Sequence, residues 1–233
     1  SPQTEQDTRT FGAFSKVPVF DPSSVSEAYE MIQEAFDFSE KYKTPVFFRP
    51  TTRIDHGYES VNVKEVEDYK KTSPEGFIKD PSRWVIFPRL SVKNHAMIEQ
   101  RNAELSDTLS EYSRNTIIPA KKKESRKGIA TQGISFMYTK DSAYAAGARI
   151  LRIANPFPFP EKLALEFLEG LDEVLCIEEL DPVIERALIY VGGKYGKKVK
   201  IIGKLTGDMP ASGENTREIV EEAISHLTGK SAK

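Results

Sequence analysis

Two arginines and two threonines stand close together directly after an apolar segment. The segment Thr44–Phe48 is mostly apolar, and the residues after it include Arg49, Thr51, Thr52 and Arg53. A guanidinium group presents paired N–H donors that match a carboxylate or a phosphate, and hydroxyl groups add further hydrogen bonds. The spacing therefore indicates a site for an anionic group. The alternative is a set of salt bridges across a domain junction, and the sequence leaves both open.

An acidic cluster occupies a similar position after another apolar segment. Glu178, Glu179 and Asp181 follow Val174–Ile177 and precede Pro182. Paired carboxylates can serve as general acid and base. Acidic side chains also stabilise a helix N-terminus, where backbone N–H groups carry partial positive charge, and they can contact a neighbouring domain. We expect the structural role here, because Pro182 suits the first turn of a helix.

A glycine turn offers a third place for a ligand. The segment Gly128–Ser135 leads from an apolar run through Gly133 into a helical pattern, and a helix N-terminus can receive an anion. The segment lacks the Lys-Ser/Thr pair of a phosphate-binding loop and the full glycine spacing of a dinucleotide site. We therefore expect a tight turn that serves close packing.

The composition narrows the class of protein. Lys and Arg number 33 against 35 Asp and Glu, so no broad positive field favours nucleic acid or an anionic membrane. No apolar run approaches the roughly 20 residues that cross a bilayer. One cysteine, Cys176, cannot form an intramolecular disulfide or hold an iron–sulfur cluster alone, and three histidines disfavour a zinc site. We expect a cytoplasmic protein without a metal site, in which Cys176 packs in a strand.

The first fifty residues carry the signals of one β-α-β unit. Val17–Phe20 is typical of a strand, and Ser24 with Glu27 has the spacing of a capping box that starts a helix. The apolar periodicity predicts that this helix runs to about Lys43, and Thr44–Arg49 then reads as a parallel strand. Two strands leave unpaired edges, so other segments must complete this sheet.

The chain after residue 125 alternates strand and helix patterns, which predicts a parallel α/β sheet with right-handed crossovers. We expect strands at Lys127–Thr131, Arg149–Ala154, Glu173–Ile177 and Lys198–Ile202, and helices at Ser135–Ala146, Pro160–Gly170, Pro182–Gly192 and Thr216–Leu227. Between the two units we expect a loop over residues 57–81, a short strand or extended segment at Trp84–Leu90, a helix at Val92–Tyr112 and a linker at Pro119–Arg126.

Four segments together resemble one enzyme family: Gln3 with Glu5–Arg9, Thr44–Ile54, Asn155–Pro158 and Glu178–Glu185. In order and spacing, over nearly the whole chain, they resemble the alpha subunits of indolepyruvate ferredoxin oxidoreductase. These belong to the thiamine diphosphate-dependent 2-oxoacid:ferredoxin oxidoreductases. Taken without the resemblance, Gln3–Arg9 would be a disordered tail, because it is poor in apolar residues.

The resemblance implies an internal fragment with three parts. Residues 1–56 would be the C-terminal part of a pyrimidine-binding domain, 57–124 a loop, connecting helix and linker, and 125–233 an α/β domain similar to the C-terminal domain of transketolase. The implied border of the cofactor and substrate pocket is Gln3, Glu5, Gln6, Asp7 and Arg9. The implied support of the pocket or domain junction is Arg49, Thr51, Thr52, Arg53, Glu178 and Glu179. No catalytic or metal-binding residue is expected in this chain.

The full enzyme implied by the resemblance oxidatively decarboxylates arylpyruvates such as indolepyruvate to acyl-CoA, with ferredoxin as electron acceptor. It uses thiamine diphosphate and Mg²⁺, with 4Fe–4S clusters elsewhere, and none of these is expected on the fragment. The implied partners are the remainder of the alpha subunit, a beta subunit, ferredoxin and coenzyme A. The fragment itself would be structural and inactive. The alternatives are a non-catalytic subunit-assembly module and a small anion-binding α/β enzyme.

Overall fold

The N-terminal part of the chain folds as a β-α-β unit, as the sequence predicts. A computed structural model describes residues 6–69, 73–122 and 124–229. The unit contains α1 (Arg9–Ser15), β1 (Val19–Phe20), α2 (Val25–Tyr42), β2 (Phe47–Phe48) and α3 (Thr52–Asp55). Strands β1 and β2 are parallel, with Val19 opposite Phe47. Asp7 and Arg9, in the segment that composition alone would make a disordered tail, are held by buried ion pairs.

The start of α2 confirms the predicted capping box in part. The backbone N–H of Glu27 donates to Ser24 Oγ at 3.2 Å. The carboxylate of Glu27 returns to the backbone one residue earlier than the motif predicts, since it accepts from the Ser23 N–H at 2.7 Å. The same carboxylate also pairs with Arg114 and Arg152, which draw it towards the second sheet. Glu27 therefore starts the helix and fastens it to the rest of the protein.

The segment between the two units is helical where a strand or extended segment was predicted. Helix α4 covers Pro81–Trp84 and α5 covers Pro88–Ser110, so the prediction for Trp84–Leu90 is wrong. Each helix has a proline in its first turn, where a missing N–H costs no hydrogen bond, and Asp80 caps the first. Leu105 and Leu109 of α5 are buried. The first half of α5 carries no buried residue.

The second unit contains a sheet of five strands in the order β3-β5-β4-β6-β7. The prediction of a parallel sheet is confirmed for the last four strands along the chain, and an additional strand, β3, pairs antiparallel with β5. The strands are β3 (Thr116–Ile118), β4 (Lys127–Gln132), β5 (Arg149–Ile153), β6 (Glu173–Ile177) and β7 (Lys200–Ile202). The helices are α6 (Gly133–Asp141), α7 (Glu161–Leu168), α8 (Val183–Lys194) and α9 (Arg217–Thr228).

Helices cover both faces of this sheet. Successive strand residues enter opposite cores, so that Ile129 packs towards α6 and α9 whereas Ala130 packs towards α7 and α8. Cys176 is fully buried in the second of these cores, and burial raises the pKa of its thiol. The interpretation of Cys176 as a packing residue is confirmed.

The two sheets meet along β1. Val19 donates its backbone N–H to the carbonyl of Phe157, and Asp21 donates to that of Ala154, both at 2.8 Å. The side chain of Asn155 donates to the carbonyl of Val19 at 3.1 Å. The chain therefore covers one edge of its small sheet with the segment that follows β5. Among the described helices, none is both long enough and apolar enough to cross a bilayer.

Candidate functional site

A cleft of about 280 Å³ lies where the carboxyl ends of β2 and β6 face each other. This placement agrees with the general rule that ligands of parallel α/β proteins bind beyond the carboxyl ends of the strands. Most of the predicted site residues line the cleft. Its lining residues are Gln6, Thr8, Arg49, Pro50, Thr51, Thr52, Arg53, Glu179, Leu180, Gly213 and Glu214.

Arg49 enters the cleft from the end of β2. Its backbone N–H donates to the carbonyl of Phe20, which extends the pairing of the two strands. Its guanidinium lies 3.4 Å from Asp21 Oδ2 and 3.9 Å from Asp7 Oδ1. Two carboxylates therefore hold Arg49 from the protein side. Its side chain keeps 15% of its surface exposed towards the cleft.

Arg53 joins the same wall of the cleft to the second unit. It donates to the hydroxyl of Tyr138 on α6 and pairs with Glu214, which precedes α9. The hydrogen bond to Glu214 is the largest influence on the pKa of Arg53, which is raised. Salt bridges across the junction, one of the two interpretations of the arginine cluster, are therefore present at Arg53. The side chain is still 37% exposed and lines the cleft.

Arg9 lies behind the cleft, in the interior. Its Nη1 donates to Glu178 Oε2 at 2.9 Å, and its Nε donates to Asp7 at 2.9 Å. The guanidinium also donates to the backbone carbonyls of Glu179 and Asp181. Burial alone would lower the pKa of Arg9, but its carboxylate partners raise it. Arg9 therefore ties the N-terminal segment to the acidic cluster and does not line the cleft.

Asp7 is the nearest partner of Arg9. Burial would raise the pKa of this carboxyl, but its hydrogen bonds and charge interaction with Arg9 lower it below the usual value. Asp7 Oδ2 also accepts from the backbone N–H of Asp181 at 3.0 Å. Among the predicted border residues, Gln6 lines the cleft, whereas Asp7 and Arg9 support it from behind. Gln3 and Glu5 lie outside the described residues.

Glu178 has the structural role expected of the acidic cluster. Its Oε2 accepts from the N–H groups of Val183 and Ile184 at 3.0 and 2.9 Å, and its Oε1 accepts from that of Glu185 at 2.9 Å. These are the first N–H groups of α8, which have no partner within the helix. With Arg9 added, both carboxylate oxygens are engaged. The interpretation of Glu178 as a helix-capping residue is confirmed.

Glu179 points to the cleft instead. Its Oε1 accepts from the backbone N–H of Asn215 at 2.9 Å, which fixes the carboxylate beside Gly213 and Glu214. Burial is the largest influence on its pKa and raises it. The cleft thus presents two guanidinium groups on one wall and carboxylates on the other.

Asp21 was missed in the sequence. It is fully buried at the end of β1, and Gln132 Nε2 donates to its Oδ2 at 3.0 Å. Burial raises the pKa of Asp21 to about 6, although Arg49 and Arg9 act in the opposite direction. The sequence signal that could have identified Asp21 is its position directly after β1, the strand that pairs with β2 and so lies beside Arg49.

Gly133 allows the turn between β4 and α6 to approach Asp21. Its φ of +51° is a left-handed conformation, and a Cβ built there would lie 3.6 Å from Asp21 Oδ1. Gly128 is closed to side chains, since a Cβ would lie 2.6 Å from Leu171 Cδ1. The interpretation of this segment as a tight turn for close packing is confirmed.

Comparison with known proteins places the whole chain in one group. It is 34% identical over 232 residues to the indolepyruvate oxidoreductase subunit IorA of Methanothermobacter thermautotrophicus, covering 98% of this chain and 37% of that subunit. It is 36% identical over 235 residues to the subunit of the same name from Thermococcus kodakarensis, with 98% and 36% covered. The chain belongs to the IorA family.

The chain spans little more than a third of the length of the IorA subunits that it matches. No family model matches it. A solved 2-oxoglutarate:ferredoxin oxidoreductase from Magnetococcus marinus is similar in fold, with a TM-score of 0.57 and 14% identity over 91% of this chain and 42% of that one. This likeness confirms the α/β fold class that the sequence predicts.

The described residues do not by themselves fit thiamine diphosphate with Mg²⁺, the cofactor that the resemblance implies. Within residues 6–69, 73–122 and 124–229, no three His, Cys, Asp or Glu side chains stand together as a metal site. The cleft of about 280 Å³ is at the lower limit of small-molecule pockets, which hold roughly 300–1,000 Å³. The arrangement fits the border of a larger site.

Proposed function

We propose that this chain forms one wall of the active site of an oxidoreductase that oxidatively decarboxylates indolepyruvate. The IorA relatives are named indolepyruvate oxidoreductase subunits, which supports the substrate class. The observation that carries the proposal is the cleft itself, where Arg49 and Arg53 face open space at the carboxyl ends of the strands. An arylpyruvate has one carboxylate, and paired guanidinium donors suit that group.

Arg49 and Arg53 both bind this anion, and each contributes differently. Asp21 and Asp7 hold Arg49 from behind, so that little side-chain entropy is lost when it binds a ligand. Arg53 releases part of its contact with Glu214, whose side chain is 62% exposed, and binds the substrate carboxylate instead. Gln6, Thr51 and Thr52 add donors around the same opening. All these residues bind and orient, and none is placed as a nucleophile or a general base.

The cofactors and further substrates belong to parts of the enzyme outside the cleft wall. In this proposal the full enzyme uses thiamine diphosphate, Mg²⁺ and 4Fe–4S clusters, passes electrons to ferredoxin and forms acyl-CoA. The similar oxidoreductase from Magnetococcus marinus was solved with coenzyme A and succinyl-CoA bound, which supports the acyl-CoA product. The chain alone is inactive, because its cleft fits only the border of such a site. A cytoplasmic location is also part of the proposal.

A partner subunit is also part of the proposal. The segment from Phe77 to Met97 exposes a series of large apolar side chains, which we call the apolar arm. Contiguous apolar surface on a soluble protein marks an interaction site. Its exposed members are Phe77 (92%), Ile78 (44%), Trp84 (57%), Val85 (43%), Ile86 (76%), Phe87 (67%), Val92 (74%) and Met97 (54%).

The test is an assay of the intact protein together with its partner subunit. Indolepyruvate, coenzyme A and ferredoxin are supplied, and ferredoxin reduction is followed optically with and without added thiamine diphosphate. We expect reduction that depends on indolepyruvate, and none from this chain alone. An assembly that binds its partner normally yet reduces no ferredoxin would favour the alternative of a non-catalytic assembly module, for which the apolar arm is the supporting observation.

A further inference from the structure

A small inner cavity of about 10 Å³ lies behind the cleft. It is bounded by Asp21 at the end of β1, Thr51 before α3, and Gln132 with Gly133 at the start of α6. Thr51 also lines the cleft, as do Arg49 and Glu179, so these three residues stand between the inner cavity and the cleft. The two spaces therefore share a wall.

Three side-chain oxygens around this cavity have no hydrogen-bond partner within the described ranges. They are Asp21 Oδ1, Gln132 Oε1 and Thr51 Oγ1. Asp21 is fully buried and Gln132 is 4% exposed. Buried polar groups in folded proteins are nearly always hydrogen-bonded, so three such atoms around one cavity indicate a ligand.

The free atoms define the chemistry of that ligand. Gln132 Nε2 donates to Asp21 Oδ2 at 3.0 Å, which leaves Oε1 of the amide and Oδ1 of the carboxyl facing the cavity as acceptors. The ligand must therefore donate hydrogen bonds, which excludes a simple anion. A metal cation is disfavoured because the guanidinium groups of Arg9 and Arg49 also border the cavity.

The start of α6 supplies donors, so the ligand must also accept a hydrogen bond. The first N–H groups of a helix have no partner within the helix, and the side chain of Gln132 at the N-cap makes no capping hydrogen bond. The Thr51 hydroxyl can donate as well. A ligand that donates twice and also accepts, in a cavity near the roughly 10–15 Å³ needed for one molecule, is water.

We propose that the inner cavity is a binding site for one water molecule, which donates to Asp21 Oδ1 and Gln132 Oε1 and accepts from the Thr51 hydroxyl. The site is built entirely from this chain, so it stands independently of the substrate. The water connects a buried carboxyl to a residue of the cleft wall. Asp21 thereby exchanges its proton through the water and Thr51.

The charge state of Asp21 depends on four charged groups from three segments. Arg49 after β2 and Arg9 of α1 favour its ionised form, whereas Asp7 and Glu179 oppose it. With a pKa of about 6, Asp21 changes protonation just below neutral pH. The ionised carboxylate accepts from the water, and the protonated carboxyl can donate to it.

The first test is a crystal structure of the intact protein at a resolution that shows ordered waters. We expect one density peak within hydrogen-bonding distance of both Asp21 Oδ1 and Gln132 Oε1. A cavity without density, or one closed by a protein donor bound directly to Asp21 Oδ1, overturns the proposal.

The second test uses Thr51, which makes no direct hydrogen bond to Asp21 among the described residues, so that the proposed water is the hydrogen-bonded link between them. The carboxyl infrared band of Asp21 is identified from the difference between the wild-type protein and Asp21→Asn, and it is titrated in Thr51→Val. We expect the midpoint to rise, because the water loses its donor and stabilises the carboxylate less. Thr52→Val, whose residue lines the cleft but not the cavity, is the matched control. Equal midpoints in wild type and Thr51→Val contradict the bridge.

Discussion

Arg9 and Glu178 lie 169 residues apart in the sequence, yet Arg9 Nη1 donates to Glu178 Oε2 at 2.9 Å in the interior. Each side chain is 1% exposed. The pair joins the N-terminal segment to the first turn of α8, since Glu178 also caps that helix. The wall of the cleft is therefore positioned by a buried ion pair that no local sequence pattern predicts.

Replacing Arg9 should destabilise the protein strongly. Arg9→Met leaves the buried carboxylate of Glu178 without its counterion and Asp7 with only Arg49 at 3.9 Å, and breaking a buried pair typically costs about 3–5 kcal/mol. Urea unfolding followed by circular dichroism measures the change. Arg126→Met removes an exposed pair with Asp172 and is the control, for which we expect no measurable change. Equal stability of the two variants would show that the buried pair contributes nothing.

Replacing Glu178 by glutamine tests its capping role. Glu178→Gln keeps the shape but places an NH₂ group against N–H donors of α8 or against Arg9. We expect a loss of about 1.5–3 kcal/mol, the usual contribution of a hydrogen bond to a charged group. Glu222→Gln, at an exposed position of α9, should leave the unfolding free energy unchanged. The idea fails if both substitutions have the same small effect.

Asp21 predicts a specific dependence of stability on pH. Its folded pKa of about 6 lies above the usual 3.8, so folding favours the protonated form. The contribution to stability is complete below pH 3.8 and is lost as pH rises through 6. At about 1.4 kcal/mol per pKa unit the loss is about 3 kcal/mol.

The measurement compares the unfolding free energies of wild type and Asp21→Asn in urea at acidic and at mildly alkaline pH. The wild type should lose stability relative to the variant as pH rises, because the variant cannot ionise at this position. A stability difference that does not change with pH would disprove the raised pKa of Asp21.

The apolar arm predicts a contact with a partner subunit. Ile86→Ser and Phe87→Ser should weaken the association of the intact protein with its partner at least tenfold. They should not lower the stability of the chain itself, since these side chains are 76% and 67% exposed. Tyr58→Ser, at a fully exposed residue outside the arm, is the control. Size-exclusion chromatography of the mixed subunits reads the association, and unchanged co-elution of both arm variants argues against the contact.

Most of the regular fold could be predicted from the sequence, because its signals are local. The capping residue Ser24 and the apolar stripe of α2 agree with each other, and the strands β4 to β7 alternate with helices. Strand β3 was missed because Thr116–Ile118 is too short to show a period. Helix α1 was missed because its first residue, Arg9, is held mainly by Glu178, Glu179 and Asp181, which are distant in the sequence.

The location of the candidate site could be predicted from the sequence, but the orientation of its side chains could not. The loops that hold Arg49 and Glu179 were each singled out because they follow apolar strands, and both residues line the cleft. The sequence could not separate Arg9, which points inward, from Arg53, which points to the cleft, because both lie in polar segments. Nor could it identify Asp21, whose raised pKa arises from burial that only the meeting of two sheets creates.

The most direct test of the cleft is the steady-state kinetics of Arg53→Met in the assembled enzyme with indolepyruvate as substrate. Arg53→Lys separates the loss of paired donors from the loss of charge, and Arg126→Met serves as the distant control. If the cleft binds the substrate carboxylate, KM should rise at least tenfold in Arg53→Met and by a smaller factor in Arg53→Lys, with kcat little changed in both. An unchanged KM for Arg53→Met, in a variant that folds and assembles normally, would contradict the account.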